Sequence, residues 1–477
     1  MEIKEKIISD LDRIINEYVD GEFVPGLSVG VVYNNEVIYT KGFGVKNVDT
    51  KEPTDENSLF HMASVSKTFV ATGIMQLVEK DKINLDECLI EYLPYFKLKD
   101  KRYKKITIRQ LLCHISGMPD EDDYEWDKPQ YDEEALERYV RSISERELMW
   151  EPGEKFAYSN IAYEILGNVI EKVSGMSFEQ YMKENILDVL QMKESNFLKL
   201  LVSKELLTSP HILDIKNGYG ATVSKVFPYN RAHGSSSTLC SNVVEMCNYA
   251  IANMNEGRFE GKKILEPKSY EELWGEYAST DWGGYTSEIG LAWFLGEYKG
   301  NKVRSHSGMD TGFRSNLIIL PERGIGVVLM TNSDYIGTKI LCTSILDILL
   351  GEEIDYVKTS LAASIVRTMF NSNSEVALEE YNKIKQNSIE KYLVYEEEFN
   401  AIAYNLLERK RIKEAIEVLK LSIKIFKESA NLYDSLGEMY LLQGNKKLAL
   451  ENYKRYVDLN PNNEEVKKII NELSITQ

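Results

Sequence analysis

The chain has 477 residues, 43% of them apolar and 10% aromatic, enough to pack a core and more than one core usually holds, so two or more domains are expected. Its formal charge of −18, from 57 basic and 75 acidic side chains, gives an average field that repels nucleic acid and anionic lipid. The densest basic run, Lys97 to Lys105, is short and isolated, so neither a nucleic-acid nor a membrane partner is expected.

The first twenty-odd residues are charged throughout and patterned as an amphipathic helix, unlike a signal peptide, and no stretch reaches the roughly 18 consecutive apolar residues of a membrane span. A cytoplasmic location is therefore expected. Five widely spaced cysteines without a CxxC pair point away from a disulfide scaffold or a zinc knot. The histidines at 61, 114, 211 and 233 show no metal-ligand spacing, so no metal or other cofactor is expected.

From Leu27 to Asn47, β-branched and aromatic runs break at Asn34-Asn35, which predicts a hairpin. Helical patterns follow over 64–80, 133–140, 160–173 and 241–254. Strands return at 303–308, 313–321 and 325–332, with a helix from about 337 to 350. One antiparallel sheet built from both ends of this region, flanked by helices and a helical subdomain, accounts for the order. The fold class is α+β over 1–351.

Beyond residue 351 the strand signal stops. Residues 352–396 read as a helical linker or a degenerate repeat, and 397–477 as an all-α repeat domain. Phe399 recurs as Tyr433, Ile402 as Leu436, Leu407 as Leu441 and Ala415 as Ala449, each after 34 residues. The run Ser435 to Pro461, with Gly437, Ala449 and a closing Asn460-Pro461, resembles the tetratricopeptide repeat. Such arrays present surfaces for a protein or peptide partner.

Ser64 and Lys67 stand three apart at the start of an apolar helix, so both side chains share one face. A serine hydroxyl needs a base, and a lysine is one only where burial or a neighbouring cation lowers its pKa. Alone, this tetrapeptide reads as a helix cap and a surface lysine. The apolar residues behind it (Phe69, Val70, Ile74, Leu77, Val78) favour a packed helix and a desolvated lysine.

Three further stretches extend the pattern: "ITIRQLLCHISGMPD" (106–120), Tyr158-Ser159-Asn160 within "EPGEKFAYSNIAYEILGNVIEKVSG", and His306-Ser307-Gly308 within "RSHSGMDTGFRSNLIILP". With "FHMASVSK", these resemble the S-x-x-K, Y-x-N and third motifs of the serine β-lactamase and penicillin-binding-protein superfamily over roughly residues 20–350, with the class C-like branch of esterases and D-peptidases the better match. The resemblance implies acyl transfer: Ser64 as nucleophile, Lys67 and Tyr158 sharing proton transfer, and Asn160 bonding Lys67 and substrate. His306 would form the facing wall, with Ser307 and Gly308 on the lining strand. The N–H groups of Ser64 and Met309 would form the oxyanion hole, and Arg314 would be a candidate carboxylate receptor. Where many members carry K-T-G this chain has His306, which argues against classical β-lactamase action.

The expected function is hydrolysis of a small ester, amide or D-amino-acid-containing peptide, so the substrate partner is a small molecule or short peptide. The alternatives are a β-lactamase or DD-carboxypeptidase, and a non-catalytic scaffold working through its repeats. The acidic, aromatic run 118–131 is expected at the mouth of the cleft. Asn160 is expected to cap the helix that follows it.

Overall fold

The computed structural model describes residues 2–121, 123–214 and 220–475. These divide into two compact units, the first holding nearly all described residues up to Asp355 and the second those from Tyr356 onward.

The first unit is built on one antiparallel sheet. In chain order its strands are β1 (Gly26–Tyr33), β2 (Glu36–Gly44), β3 (Ala278–Ser279), β4 (Glu288–Ile289), β5 (Phe294–Tyr298), β6 (Asn301–Asp310), β7 (Phe313–Leu320) and β8 (Ile325–Thr331), arranged β2-β1-β8-β7-β6-β5-β4-β3. The hairpin turns at Asn34 and Asn35, both at positive φ, a conformation asparagine tolerates. The two ends of the region meet in the middle, β1 pairing with β8 from Leu27↔Thr331 to Val32↔Gly326. Strands β3 to β5 extend the sheet beyond the sequence prediction; a two-residue strand has no alternation to read.

Register assigns the faces, since side chains alternate along each strand. Gly30, Val328, Leu317 and His306 are successive cross-strand neighbours and share one face. The helix α4 (Val243–Met254) packs there, and Gly30 admits it: a Cβ would stand 2.7 Å from Cys247 Sγ. Lys41, Val29, Leu329, Asn316 and Ser307 line the other face. Helix α1 (Glu2–Glu22) lies over it, with Asp12 accepting from Tyr39 at 2.7 Å and Lys41 at 2.8 Å. Helix α5 (Lys339–Leu349) begins on the same side, where Thr338 accepts from Asn316 at 2.7 Å.

Two helices form the centre of the helical side. α2 (Ser66–Glu79) is buried from Ser66 through Leu77, and α3 (Asn160–Ser174) from Ile161 through Ile170. Gly73 lets them close: a Cβ there would meet Ile170 at 3.3 Å and Met182 at 2.7 Å. Burial all round explains why both read as apolar runs rather than amphipathic stripes.

The second unit is helical: α6 (Leu361–Asn371), α7 (Ser374–Asn387), α8 (Glu396–Glu408), α9 (Ile412–Ile425), α10 (Ala430–Leu442), α11 (Lys446–Leu459) and α12 (Glu464–Ile475). Neighbours pack as pairs, α6 on α7, α8 on α9 and α10 on α11. Ala415 and Ala449, 34 residues apart, are fully buried, and a Cβ on Gly437 would come within 2.9 Å of the Tyr453 ring. Small residues at these places set the spacing of the pairs. The segment 352–396 contains α6 and α7 and is thus mostly helical.

Among the described residues no helix is long and apolar enough to cross a membrane, and no cluster of histidine, cysteine, aspartate or glutamate is arranged to hold a metal ion.

Candidate active site

Ser64 lies in a single 3-10 turn, Ala63–Val65, which runs into α2; the helix proper starts two residues later than expected. Ala63 is held at φ 46, a strained position for a residue with a Cβ. The strain turns Ser64 out at the head of the buried helix. A two-residue strand, Phe60-His61, anchors the approach by pairing with Cys240-Ser241.

Lys67 follows one turn on and is fully buried. Its Nζ donates to Ser64 Oγ at 3.0 Å, to Asn160 Oδ1 at 2.5 Å and to the Ser236 carbonyl at 2.8 Å. It also lies 5.1 Å from the centre of the Tyr158 ring and 5.4 Å from that of Tyr163. Burial pushes its pKa down to about 8, against the opposing charges of Glu164, Asp120 and Asp310. Three acceptors satisfy its three donors, which explains how an ammonium group is tolerated without contact with water.

Tyr158 hydrogen-bonds Ser64, and burial raises its pKa far above the ordinary phenol value. Its ring stacks on His114 at 4.3 Å. His114 is itself fixed by the Ser159 N–H, which donates to Nδ1 at 3.1 Å, so the "LLCHISG" stretch places the tyrosine. Burial holds the His114 imidazole neutral, well below its usual pKa.

Asn160 does not cap α3. Ser159 is the cap, accepting from the Ala162 N–H at 3.2 Å, which leaves the Asn160 side chain free to face Lys67. Its Nδ2 donates to Tyr124 Oη at 2.6 Å and to both oxygens of Asp120 at 3.2 Å, and its backbone N–H donates to Asp120 Oδ1 at 2.8 Å. The acidic, aromatic run thus reaches the site through Asp120 and Tyr124. Asp122 of that run lies outside the described residues.

The opposite wall is β6. His306 is buried, its ring 5.1 Å from Phe294 and 6.4 Å from Tyr158. Its Nδ1 lies 2.7 Å from the Ser307 carbonyl; a carbonyl only accepts, so Nδ1 carries the proton and Nε2 presents a lone pair. Nε2 is buried and has no hydrogen-bond partner among the described residues. Burial, followed by the Lys67 charge, pushes the pKa of His306 down to about 3, so the ring is neutral.

Gly308 brings β6 against the segment that carries Ser64. A Cβ there would stand 2.4 Å from the Met62 carbonyl and 2.9 Å from Ala63 Cβ. Ser315 Oγ, opposite Gly308 on β7, donates to the same carbonyl at 2.5 Å, and His61 Nε2 lies 2.7 Å from Asp310 Oδ2 on β6, so both strands are tied to the segment that carries Ser64. Replacing Gly308 by alanine should displace this wall and lower the rate of Ser64 acylation by about 100-fold, the scale of a 1 Å misplacement. The check is stopped-flow labelling of folded G308A.

The site brings together Ser64, Lys67, Tyr158, Asn160 and His306. The side chains of Ser307, Met309 and Arg314 stand apart from that group: register puts all three on the other face of the sheet, Ser307 opposite Asn316 and Met309 opposite Arg314. Arg314 Nε donates to the Asp334 carbonyl at 2.8 Å. All three line a cavity of about 460 Å³ with Trp282, Asn316 and Lys339, which reaches round the strand edge to His306 and Gly308. Trp282, 54% exposed, stacks on Phe294 at 4.9 Å and lies 6.1 Å from Tyr158, joining the cavity to the site.

Sequence reasoning placed Asp120 and Tyr124 only within an acidic, aromatic run at the cleft mouth, without a role, and missed Glu164 and the Ser236 carbonyl. Glu164 left a signal, a carboxylate one turn past Asn160 within the otherwise largely apolar run 161–167; a backbone carbonyl leaves none.

A sheet with helices on both faces and a serine–lysine–tyrosine cluster, its lysine buried, beside one strand is a fold of the β-lactamase and penicillin-binding-protein type. The family model described as Beta-lactamase matches residues 11–340, and the chain belongs to that family. Protein flp of Staphylococcus aureus (strain MW2) is 27% identical over 329 residues, 68% of this chain and 64% of that protein. Beta-lactamase-like protein 2 of Dictyostelium discoideum is 26% identical over 335 residues, 68% of this chain and 59% of its own length. The chain therefore spans somewhat less than two thirds of these relatives. The solved octameric penicillin-binding protein homologue from Pyrococcus abyssi superposes with a TM-score of 0.65 at 26% identity, covering 76% of this chain and 81% of that one.

Proposed function

We propose that the chain is a serine hydrolase of the class C-like, esterase or D-peptidase type, working through an acyl-enzyme on Ser64. The observation that carries this reading is Lys67, fully buried, 3.0 Å from Ser64 Oγ and pushed to about 8. A lysine so placed is neutral in an appreciable fraction of molecules near neutral pH and can take the serine proton as Ser64 attacks a carbonyl. Tyr158, whose phenol resists ionisation, is not the resting base; it relays the proton taken up by Lys67 to the leaving group, gaining one from the lysine as it gives one up, so that Lys67 and Tyr158 both return to their starting states. Asn160 holds Lys67 and, through its link to Asp120, the mouth of the cleft. The N–H groups of Ser64 and Met309 receive the charge of the tetrahedral state.

His306 supports an ester or amide substrate over a β-lactam. A neutral ring with a lone pair on Nε2 accepts a hydrogen bond and supplies no cation for a carboxylate. The side cavity with Ser307, Arg314 and Lys339 suits the leaving group. The C-terminal helices are read as tetratricopeptide repeats following a hydrolase domain that ends near residue 351, and as the place where a protein or peptide partner binds.

The test is to treat the full chain with a fluorophosphonate and, separately, a fluorescent penicillin, and to locate adducts by mass spectrometry. Phosphonate on Ser64 without a penicillin adduct is the expected result. A penicillin adduct on Ser64 would move the reading to a penicillin-binding enzyme, and no adduct from either probe on folded protein would leave a scaffold acting through its repeats.

A further inference from the structure

Behind Lys67 lies a polar cluster sealed from solvent. Helix α3 presents Glu164 and, one turn on, Gly167 to the segment His233–Ser237; Glu164 is 0% exposed and His233 3%. Ser235 Oγ donates to Glu164 Oε2 at 2.8 Å, and His233 Nδ1 lies 3.3 Å from Oε1. A Cβ on Gly167 would stand 2.3 Å from Ser235 Oγ, so this approach requires glycine. The next residue along, Ser236, is the one whose carbonyl accepts from Lys67 Nζ at 2.8 Å. Glu164, Ser235, Ser236 and Lys67 therefore form one connected chain of contacts.

Resting on the reading of Ser64 as nucleophile and Lys67 as its base, we propose that Glu164 is the positioning residue for Lys67, holding the Ser236 carbonyl against Nζ and countering the burial of its charge. A carboxylate taken wholly out of water is strongly destabilising unless it is paired, and an apolar side chain would fill the same space without that penalty. Gly167 and Ser235 are both fitted to this carboxylate. Three acidic groups act on Lys67: Glu164 from α3, Asp120 from the loop before it and Asp310 from the end of β6. The other titratable side chains around it, Tyr158, Tyr163, His114 and His306, are held neutral by burial. Glu164 itself is faced by His233, and its charge also opposes ionisation of Tyr124 and Tyr139, both packed edge-on to that imidazole.

The experiment measures the pH dependence of fluorophosphonate labelling of Ser64 in the full chain. In Glu164→Gln the amide oxygen still accepts from Ser235 while the charge is gone, so Lys67 loses its proton more readily and the acid limb should move down by about one pH unit. In Ser235→Ala the charge stays and the hydrogen bond goes, so the rate should fall about tenfold with the limb in place. A folded Glu164→Gln protein whose limb matches wild type overturns the proposal, as does a Ser235→Ala protein with the wild-type rate. Should Glu164→Gln not fold, Glu164→Asp decides: a charge withdrawn by one methylene should slow labelling, and wild-type rate and limb overturn the proposal. Wild-type protein that is not labelled at all removes the hydrolase reading and this inference with it, whereas labelled wild type with an unmoved variant limb removes this inference alone.

Discussion

Replacing Ser64 by alanine is expected to abolish the adduct and to lower turnover of any ester or amide substrate by roughly 10⁴-fold or more, the loss seen when a nucleophile acting as one unit with its base is removed. The structure gives reasons to expect so complete an effect. Ser64 Oγ is the group on which Lys67 and Tyr158 converge, the first at 3.0 Å and the second through the hydrogen bond that moderates its high pKa. Its backbone is set by the strained Ala63. Removing one oxygen leaves these supports in place, so the variant should fold with unchanged circular dichroism and fail only in labelling. Retention of more than about a tenth of the wild-type rate by folded S64A would place the nucleophile elsewhere.

The second large effect concerns Lys67. Wild-type labelling should rise with pH along a limb centred at about 8, where burial has placed this amine. Lys67→Met, of similar length and without charge, should cost about 10³-fold in rate and lose the limb. Stability should change in a way that identifies the same group. The folded pKa of about 8 lies below the ordinary 10.5, so between these values the folded protein has released a proton that the unfolded chain still holds. The unfolded state then binds more protons, and stability rises with pH through this window; below it both states are protonated and this group contributes no slope. Urea denaturation across pH 7 to 10 should show that slope in wild type and lack it in K67M. A K67M protein with the wild-type rate would exclude Lys67 as the base.

Some of this was available from local pattern. The break at Asn34-Asn35 specified the first hairpin, and largely apolar runs bounded by Gly and Pro turns marked 313–321 and 325–332, because a strand buried on both faces is apolar along most of its length. The three-residue spacing of Ser64 and Lys67 placed both on one helical face, and the 34-residue recurrence from Phe399 to Tyr433 and from Ala415 to Ala449 marked a helical array. Ordered motifs around Tyr158, Asn160 and His306 brought distant stretches into one expected site.

What the sequence could not carry was anything fixed by groups far apart in the chain. Lys67 falls because α2 and α3 close over it, and it stops at about 8 because Asp120, Glu164 and Asp310 act against that fall from three separate segments. The protonated nitrogen of His306 is chosen by one carbonyl at 2.7 Å, and Asn160 faces Lys67 because Ser159 takes the capping role. Arg314, adjacent in sequence to a site strand, is carried to the other face by the alternation of β7. Residue types and spacing determine which groups are present and which local elements they form. Desolvation, tautomer and facing depend on distances of a few ångströms between segments up to about 250 residues apart, and only the tertiary structure sets those.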